Sequence, residues 1–475
     1  MNLSQYKMLS RIIIIVYAIP FLLSKYDFLD DLYRTTSGDV SFWFQNARPF
    51  SVYIYSLIHQ GHLSPDVYPL TYILSFLCLY FIFHYLIDKI VTNNDYLLKL
   101  SIFILFLCNP FFLQCLSYKY DSFSIAISLI LGGFFVFSKP FHNFYIDFLF
   151  RSIVLFTMFC IYQATLSFIV GLIAIKILID SEKKDLKEII KFVLLLILSL
   201  FVVFIIYKFL IANRLLNDFY KEAGKTIPVN KHAIQNIIDN IKGYWFFIHL
   251  YLHKTYVIVP LITCFLLIFV QIFNINYKKI LIGAICLPLL IISLTSANIV
   301  LKQPFFHPRE MIGFSIPFIF LLLFIYKEGL ISKIIFLLPL GFLLSSTVLS
   351  YSLYNYKNLL YKRDQLVIND LLYSMYHFDQ KNIQKIAFVN ETPNFLQAQS
   401  IDLRANPLIG TFFDNVNLQN HWYSDAIINH QYSIYKELTY TDKFPEVEKT
   451  FSQCYIRSSL IDRVLYVQVG TFCNS

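Results

Sequence analysis

Charge is scarce in this chain. Asp, Glu, Lys and Arg make up 15 % of the 475 residues, against about 25 % in soluble domains. With hydrophobic residues at 57 %, so little charge cannot cover a water-facing surface without large apolar patches, and disorder is excluded for the same reason. Glycine numbers 13 and cysteine 8, too few for a collagen-like or disulfide-dense scaffold. There is no Gly-rich phosphate loop, so a nucleotide site is not expected, and no CxxC or HExxH spacing that would announce a metal. The formal net charge is +9, but the basic residues lie scattered between apolar segments and form no stripe, so no nucleic-acid partner is expected.

What is present is a series of long apolar runs. A bilayer-spanning helix needs about 20 mostly apolar residues. Runs near 9–24, 67–88, 99–115, 121–138, 147–163, 164–180, 190–212, 251–274, 280–299, 311–327 and 333–352 predict an all-α polytopic membrane protein with about eleven spans. The stretch 147–180 is long for one helix and short for two, and we split it at Tyr162-Gln163. With the N-terminus inside and that split made, the inside loops carry about 14 Lys/Arg in about 60 residues, and the outside loops up to residue 311 about 12 in about 105. The cluster Lys183, Lys184, Lys187 and Lys191 then falls inside. The first run follows Lys7 and Arg11 and resembles a signal peptide; no small-residue cleavage site follows it, so an uncleaved anchor is expected.

Domain organisation follows. Residues 1–352 form a membrane domain with external loops 25–66 and 213–250, and residues 353–475 form a small external α/β domain with strand-like runs at Lys385–Val389 and Arg463–Val469. Cys78, Cys108, Cys115, Cys160, Cys264 and Cys286 sit in or beside spans and act as small apolar residues. Cys454 and Cys473 lie in the tail, where an oxidising compartment would let them pair.

The first external loop carries the chemistry. It reads Asp30-Asp31-Leu32-Tyr33-Arg34, then Gly38, Trp43 and Ala47-Arg48-Pro49. A carboxylate at a membrane face suits a general base that takes a proton from an acceptor hydroxyl. Cations beside it suit a departing phosphate, arginine through a two-pronged fork. The plainer reading is a solvated loop end holding a local ion pair. The same two carboxylates suit Mg²⁺ or Mn²⁺, and nothing in the sequence requires one. Further external cations are Lys119, Lys302, His307 and Arg309, the last three in a turn shaped by two prolines. For Lys302 and Arg309 the plain alternative is snorkelling at the interface, and for Lys119 an ion pair with Asp121 at a helix start. Trp43, Tyr244, Trp245 and Trp422 could stack on sugar rings, though packing is the commoner role for any one of them.

The string Asp30-Asp31-x-x-Arg34 with Gly38, Trp43 and Arg48-Pro49 resembles the opening loop of the bacterial, phage-borne, serotype-converting O-antigen glucosyltransferases. Asn109-Pro-Phe-Phe-Leu-Gln-Cys-Leu-Ser-Tyr-Lys-Tyr-Asp121-Ser122 and Tyr162-Gln163 match two further elements of that family in order and spacing. Together they cover about the first 180 residues. Ala47 departs from the family pattern, which has Gly before Arg-Pro. The resemblance implies a GT-C-type inner-membrane transferase that moves glucose from undecaprenyl-phosphate glucose to a hydroxyl of a lipid-linked O-antigen sugar, inverting, on the periplasmic side. No cofactor is required by the sequence. The resemblance casts Asp30, Asp31 and Arg34 as catalytic, Arg48, Lys119, Lys302, His307 and Arg309 as donor-phosphate contacts, and Trp43, Asp121, Tyr162 and Gln163 as substrate contacts. A lipid-linked-sugar flippase would instead place its charges near the bilayer midplane on repeated halves, and no repeat is visible. An O-antigen polymerase, or a transferase acting on lipid A or protein, remains as a further alternative.

Overall fold

The computed structural model describes residues 1–24, 26–28, 30–61, 63–253, 257–259, 261–262, 277–325, 336–389, 403–413, 428, 434, 436–441, 443–445 and 450–470. The chain divides into two compact units. One comprises Met1–Leu22, Val40–Leu63 and Val67–Ser350; the other comprises Leu23–Asp39, Ser64–Asp66 and Tyr351–Ser475.

The first unit is helical. Its elements are α1 (Leu3–Leu23), α3 (Phe42–Gln45), α4 (Pro49–His59), α5 (Leu70–Ile90), α6 (Tyr96–Leu107), α7 (Phe112–Ser117), α8 (Asp121–Phe137), α9 (Phe144–Phe159), α10 (Leu166–Asp180), α11 (Leu186–Tyr207), α12 (Asn213–Leu215), α13 (Asp218–Ala223), α14 (Ala233–Leu252), α15 (Tyr277–Leu294) and α16 (Ile316–Ile325). The short α2 (Asp30–Ser37) belongs to the second unit. Among the described residues, five helical stretches are long and apolar enough to cross a membrane: Leu3–Leu23, Leu70–Ile90, Gln163–Asp180, Leu186–Leu215 and Leu337–His377.

The eleven expected spans are therefore not all present as single helices. The run 99–115 yields α6, only 12 residues long. Asn109-Pro110 stops it, because Pro110 has no N–H to give the ladder, and the Asn109 side chain turns to cap Phe111 N and to hold the carbonyls of Met311 and Ile312. The stretch 147–180 breaks as expected: α9 ends at Phe159, a 3-10 turn covers Gln163–Thr165, and α10 follows. Most of the run 251–274 lies outside the described residues. Arg151, counted among the loop cations, is enclosed within α9, where its Nε meets Asp147 at 3.1 Å and its guanidinium donates to the Phe135 carbonyl.

Small residues let apolar helices approach closely. A Cβ added to Gly171 on α10 would meet Ser293 Oγ of α15 at 2.3 Å, and one on Gly313 would meet the Ser167 carbonyl oxygen at 2.6 Å. Between helices surrounded by lipid, such backbone proximity replaces the hydrophobic drive that water would supply.

The second unit holds a five-stranded sheet: β1 (Lys385–Val389), β2 (Glu437–Thr441), β3 (Phe451–Ser452), β4 (Ile456–Ile461) and β5 (Val464–Val469). The strand order is β2-β1-β5-β4-β3, with β1 parallel to both neighbours and β4 antiparallel to β3 and β5. The alternation of β5 buries Leu465, Val467 and Val469. Ahead of the sheet runs α17 (Leu337–His377), a single helix of 41 residues. The expected boundary at 352 lies inside this helix, and the two units divide in sequence at Ser350 and Tyr351. No Pro or Gly occurs between Gly341 and His377, so the helix itself runs on. Its end is tied to the sheet, with His377 stacked on Phe451 at 4.1 Å and Asp370 accepting from Tyr455 N at 2.8 Å. A short helix α18 (Pro407–Phe412) follows β1 in the chain. Cys454 is disulfide-bonded; Cys473, its expected partner, lies outside the described residues.

Candidate functional site

Two polar groupings hold nearly all of the sequence-selected residues, one in each unit. In the second unit, α2 opens with Asp30 and Asp31 in its first turn and carries Arg34 in its last. That order suits the helix dipole at both ends. Gly38, at φ 68°, ends the helix, and its N–H closes on the Arg34 carbonyl. The two acids are not equivalent. Asp31 is 1 % exposed and meets Arg34 Nη1 at 3.4 Å. Asp30 keeps 48 % of its side chain exposed, with Arg34 Nη2 at 3.9 Å. One side chain is committed to the fold and the other faces outward. Phe28, just ahead of α2, packs edge-on against Phe413 at 4.9 Å and lies under the buried Lys357 ammonium at 5.6 Å. Among the described residues no group of three or more His, Cys, Asp or Glu could hold a metal ion.

In the first unit, residues far apart in sequence converge on Asp121, the first residue of α8. Trp43 donates its indole N–H to Asp121 Oδ1 at 2.8 Å, and Arg48 Nη1 lies 3.6 Å from the same oxygen. Arg48 also stands over the Tyr162 ring, 4.5 Å from its centroid, a cation–π arrangement. Its Nε is buried and has no hydrogen-bond partner among the described residues. Trp43 is fully enclosed and packs on Tyr55 at 4.9 Å, so it steadies Asp121 and has no face left for a sugar. Lys119 is buried over Tyr120.

Arg48 is aimed by the residue before it. Ala47 adopts φ 55°, the left-handed region that favours glycine. This is where the family pattern has glycine, and the chain holds the conformation with alanine. The Ala47 carbonyl accepts from Tyr207 Oη at 2.9 Å and from Gln163 Nε2 at 3.2 Å, while Gln163 also donates to Tyr207 at 2.6 Å. Gln163 is thus a backbone clamp at the α9–α10 break.

The turn 302–310 carries the remaining cations. Arg309 stands over Tyr118 at 5.2 Å, and its N–H donates to Gln114 Oε1 at 2.8 Å. His307 lies parallel to Phe305, and burial, helped by Arg309, lowers its pKa to about 4, so at neutral pH it is a neutral ring and not a cation. Lys302 is exposed and joins the turn to the 225–227 segment through its backbone N–H, which donates to the Lys225 carbonyl at 2.8 Å.

Sequence reasoning missed Glu310. Its Oε2 accepts from Tyr244 Oη at 2.6 Å and Asn298 Nδ2 at 2.5 Å. Burial raises its pKa to about 7, against the opposing pull of these two donors and of Arg309 and Arg48. Tyr244 is enclosed and packs on Phe306, so it too is withdrawn from sugar stacking. A lone acid in a cationic turn was the available signal. Trp422 lies outside the described residues.

Comparison with known proteins bears directly on this arrangement. The family model for Glucosyl transferase GtrII matches residues 19–321, a span that includes the acid pair, Asp121, Tyr162-Gln163 and the 302–310 turn. The chain belongs to the GtrII glucosyl transferase family. It is also similar to a Salmonella phage P22 protein described as an uncharacterized 55.3 kDa protein in the gtrB 5′ region, 27 % identical over 431 residues that cover 86 % of each chain. No solved structure matches the chain.

Proposed function

We propose that this family member transfers glucose from undecaprenyl-phosphate glucose to a hydroxyl of a lipid-linked O-antigen sugar, on the periplasmic side of the bacterial inner membrane, and so changes the serotype. The observation that carries the reaction is the asymmetry of the acid pair. Asp30 is the exposed carboxylate and Asp31 the buried one, both within reach of Arg34. The base must meet a bulky incoming acceptor, so Asp30 takes that role in preference to Asp31. Asp31 orients Arg34, and Arg34 holds the helix that presents Asp30.

The step is a single displacement. The acceptor oxygen attacks the anomeric carbon as its proton passes to the Asp30 carboxylate. The bond from that carbon to the phosphate oxygen breaks, and undecaprenyl phosphate leaves with the electron pair. Inversion follows from attack opposite the leaving group. Loss of the proton as the bond forms is general-base catalysis, worth about 10²–10⁴-fold in rate. Developing negative charge on the phosphate calls for cations, the role that the family resemblance gives Arg48 and Arg309.

Asp30→Asn should abolish transfer by purified protein given polyprenyl-linked glucose and an O-antigen acceptor. Asp31→Asn should also weaken the fold, since breaking a buried pair costs about 3–5 kcal/mol. Full turnover by both variants would remove the acid pair from the mechanism. Linkage analysis of surface polysaccharide from cells with and without the chain identifies the sugar added.

A further inference from the structure

Helix α14 has two apolar faces. One is packed against the chain. Asn240 donates its amide to the carbonyls of Ile299 and Leu301 at 2.8 and 2.9 Å, and Tyr244 reaches the Phe305 carbonyl and Glu310. Gly243 lies so close to Phe306 that an added Cβ would come within 2.3 Å of the ring. Residues 299–310 join α15 to α16, so this part of α14 runs along the level where those apolar helices end. Tyr251, near its C-terminus, packs on Phe111, Phe314 and Phe342 and so reaches toward the apolar helices themselves.

The other face is open. Ile234, Ile238, Ile241 and Trp245 recur at i, i+4, i+7 and i+11, which places all four within about 60° of one another around the axis. Ile234 is 74 % exposed, Ile238 41 % and Trp245 52 %. Lys242, ion-paired with Asp239 at 2.9 Å, and His249 flank the stripe on one side, and Lys231 lies just ahead of the helix. An open apolar stripe, a tryptophan and nearby lysines are the composition of a helix lying in the plane of a membrane surface. The stripe also belongs to the same unit as α11, whose Leu194, Ile197, Phe201 and Phe204 are exposed as a lipid-facing row would be.

We propose that α14 is a membrane-interface helix, with the Ile234–Trp245 stripe seated at the boundary of headgroups and acyl chains. The bilayer is the occupant because the packed face is already set at the level of the span ends and the open stripe carries Trp245, a residue type suited to the headgroup level. Through Asn240 and Tyr244 the helix holds the 296–310 segment at that level. The proposal does not depend on the reaction assigned above.

The test uses the full chain in vesicles of phosphatidylethanolamine and phosphatidylglycerol. The Trp245 signal is isolated as the emission of wild type minus that of Trp245→Phe. Lipids brominated near the headgroup end of the chain should quench this signal about twofold more than lipids brominated deep in the chain, and aqueous iodide should quench it little. Strong iodide quenching with no effect of brominated lipid would overturn the proposal by placing the face in water. Quenching by neither reagent would overturn it by showing the face covered by protein, a second copy included, and stronger quenching by the deep label would place the stripe in the hydrocarbon core.

Discussion

The Tyr207 hydroxyl donates to the Ala47 carbonyl at 2.9 Å, joining residues 160 positions apart in the chain. This bond fixes the peptide that leads into Arg48, and with Gln163 it holds Ala47 at φ 55°. The left-handed region costs an L-residue about 1–2 kcal/mol, so the clamp stabilises a conformation that glycine would adopt without it. Ala47→Gly is expected to keep activity and hold or raise the unfolding midpoint. Ala47→Val, with a branched side chain at positive φ and no free space, should lose about 2 kcal/mol. Thermal unfolding in detergent followed by tryptophan fluorescence measures both.

Arg48 combines a charge contact with Asp121 and a planar contact with Tyr162. Arg48→Lys keeps the charge and loses the plane, because an ammonium has neither the fork nor the flat face. Transfer should fall at least tenfold with the unfolding midpoint nearly unchanged. Tyr162→Phe keeps a ring beneath the guanidinium and should retain most activity. Initial rates for the two variants side by side separate charge from stacking.

Glu310 makes stability depend on pH. Its folded pKa is about 7, and an unfolded glutamate titrates near about 4.3. The folded state therefore binds its proton more tightly, and this contribution is complete below the unfolded value and lost as pH rises through about 7. Protonated Glu310 can donate to Tyr244, freeing that hydroxyl for the Phe305 carbonyl; ionised Glu310 accepts from it. Glu310→Gln cannot ionise and should flatten the fall of the unfolding midpoint between about pH 5 and pH 7.5. Identical slopes for wild type and variant would exclude Glu310 as the source.

Membrane orientation is testable by reporter fusion. Fusions after residues 186 and 400 should report cytoplasm and periplasm respectively. The expected topology rests on the basic cluster Lys183, Lys184, Lys187 and Lys191, which follows α10 and by the excess of Lys/Arg inside would hold that end in the cytoplasm. A periplasmic signal at 186 would mean that α9 and α10 do not cross as two separate spans.

Apolar runs made most helices legible, because length and hydropathy alone decide what can reside in lipid. The break at Tyr162-Gln163 was readable from length, and β1 and β5 from alternation. Hydropathy does not report where a helix ends: it ran α6 through Asn109-Pro110, where the backbone breaks. In the candidate site, motif spacing singled out Arg48, Asp121, Tyr162 and Gln163, and the expected topology singled out Arg309; Arg48 lies against both Asp121 and Tyr162. Spacing could not reveal that Trp43 is enclosed, that Asp30 and Asp31 differ in exposure, or that Glu310 matters. The two donors to Glu310 lie 66 and 12 residues away, so its only local mark was being a lone acid in a cationic turn.

The close approach at Gly171 and Gly313 has a consequence for how such a chain tolerates change. Where α11 exposes its apolar row, one branched hydrocarbon serves as well as another, and substitution there should pass unnoticed. At Gly171, a single methyl would have to occupy space held by Ser293 and Ile316. With no water to press α10 and α15 back together, that methyl acts as a wedge. Variation should therefore be broad on the outward-facing surface and nearly forbidden along this inner seam, the reverse of what raw hydrophobicity would lead one to guess.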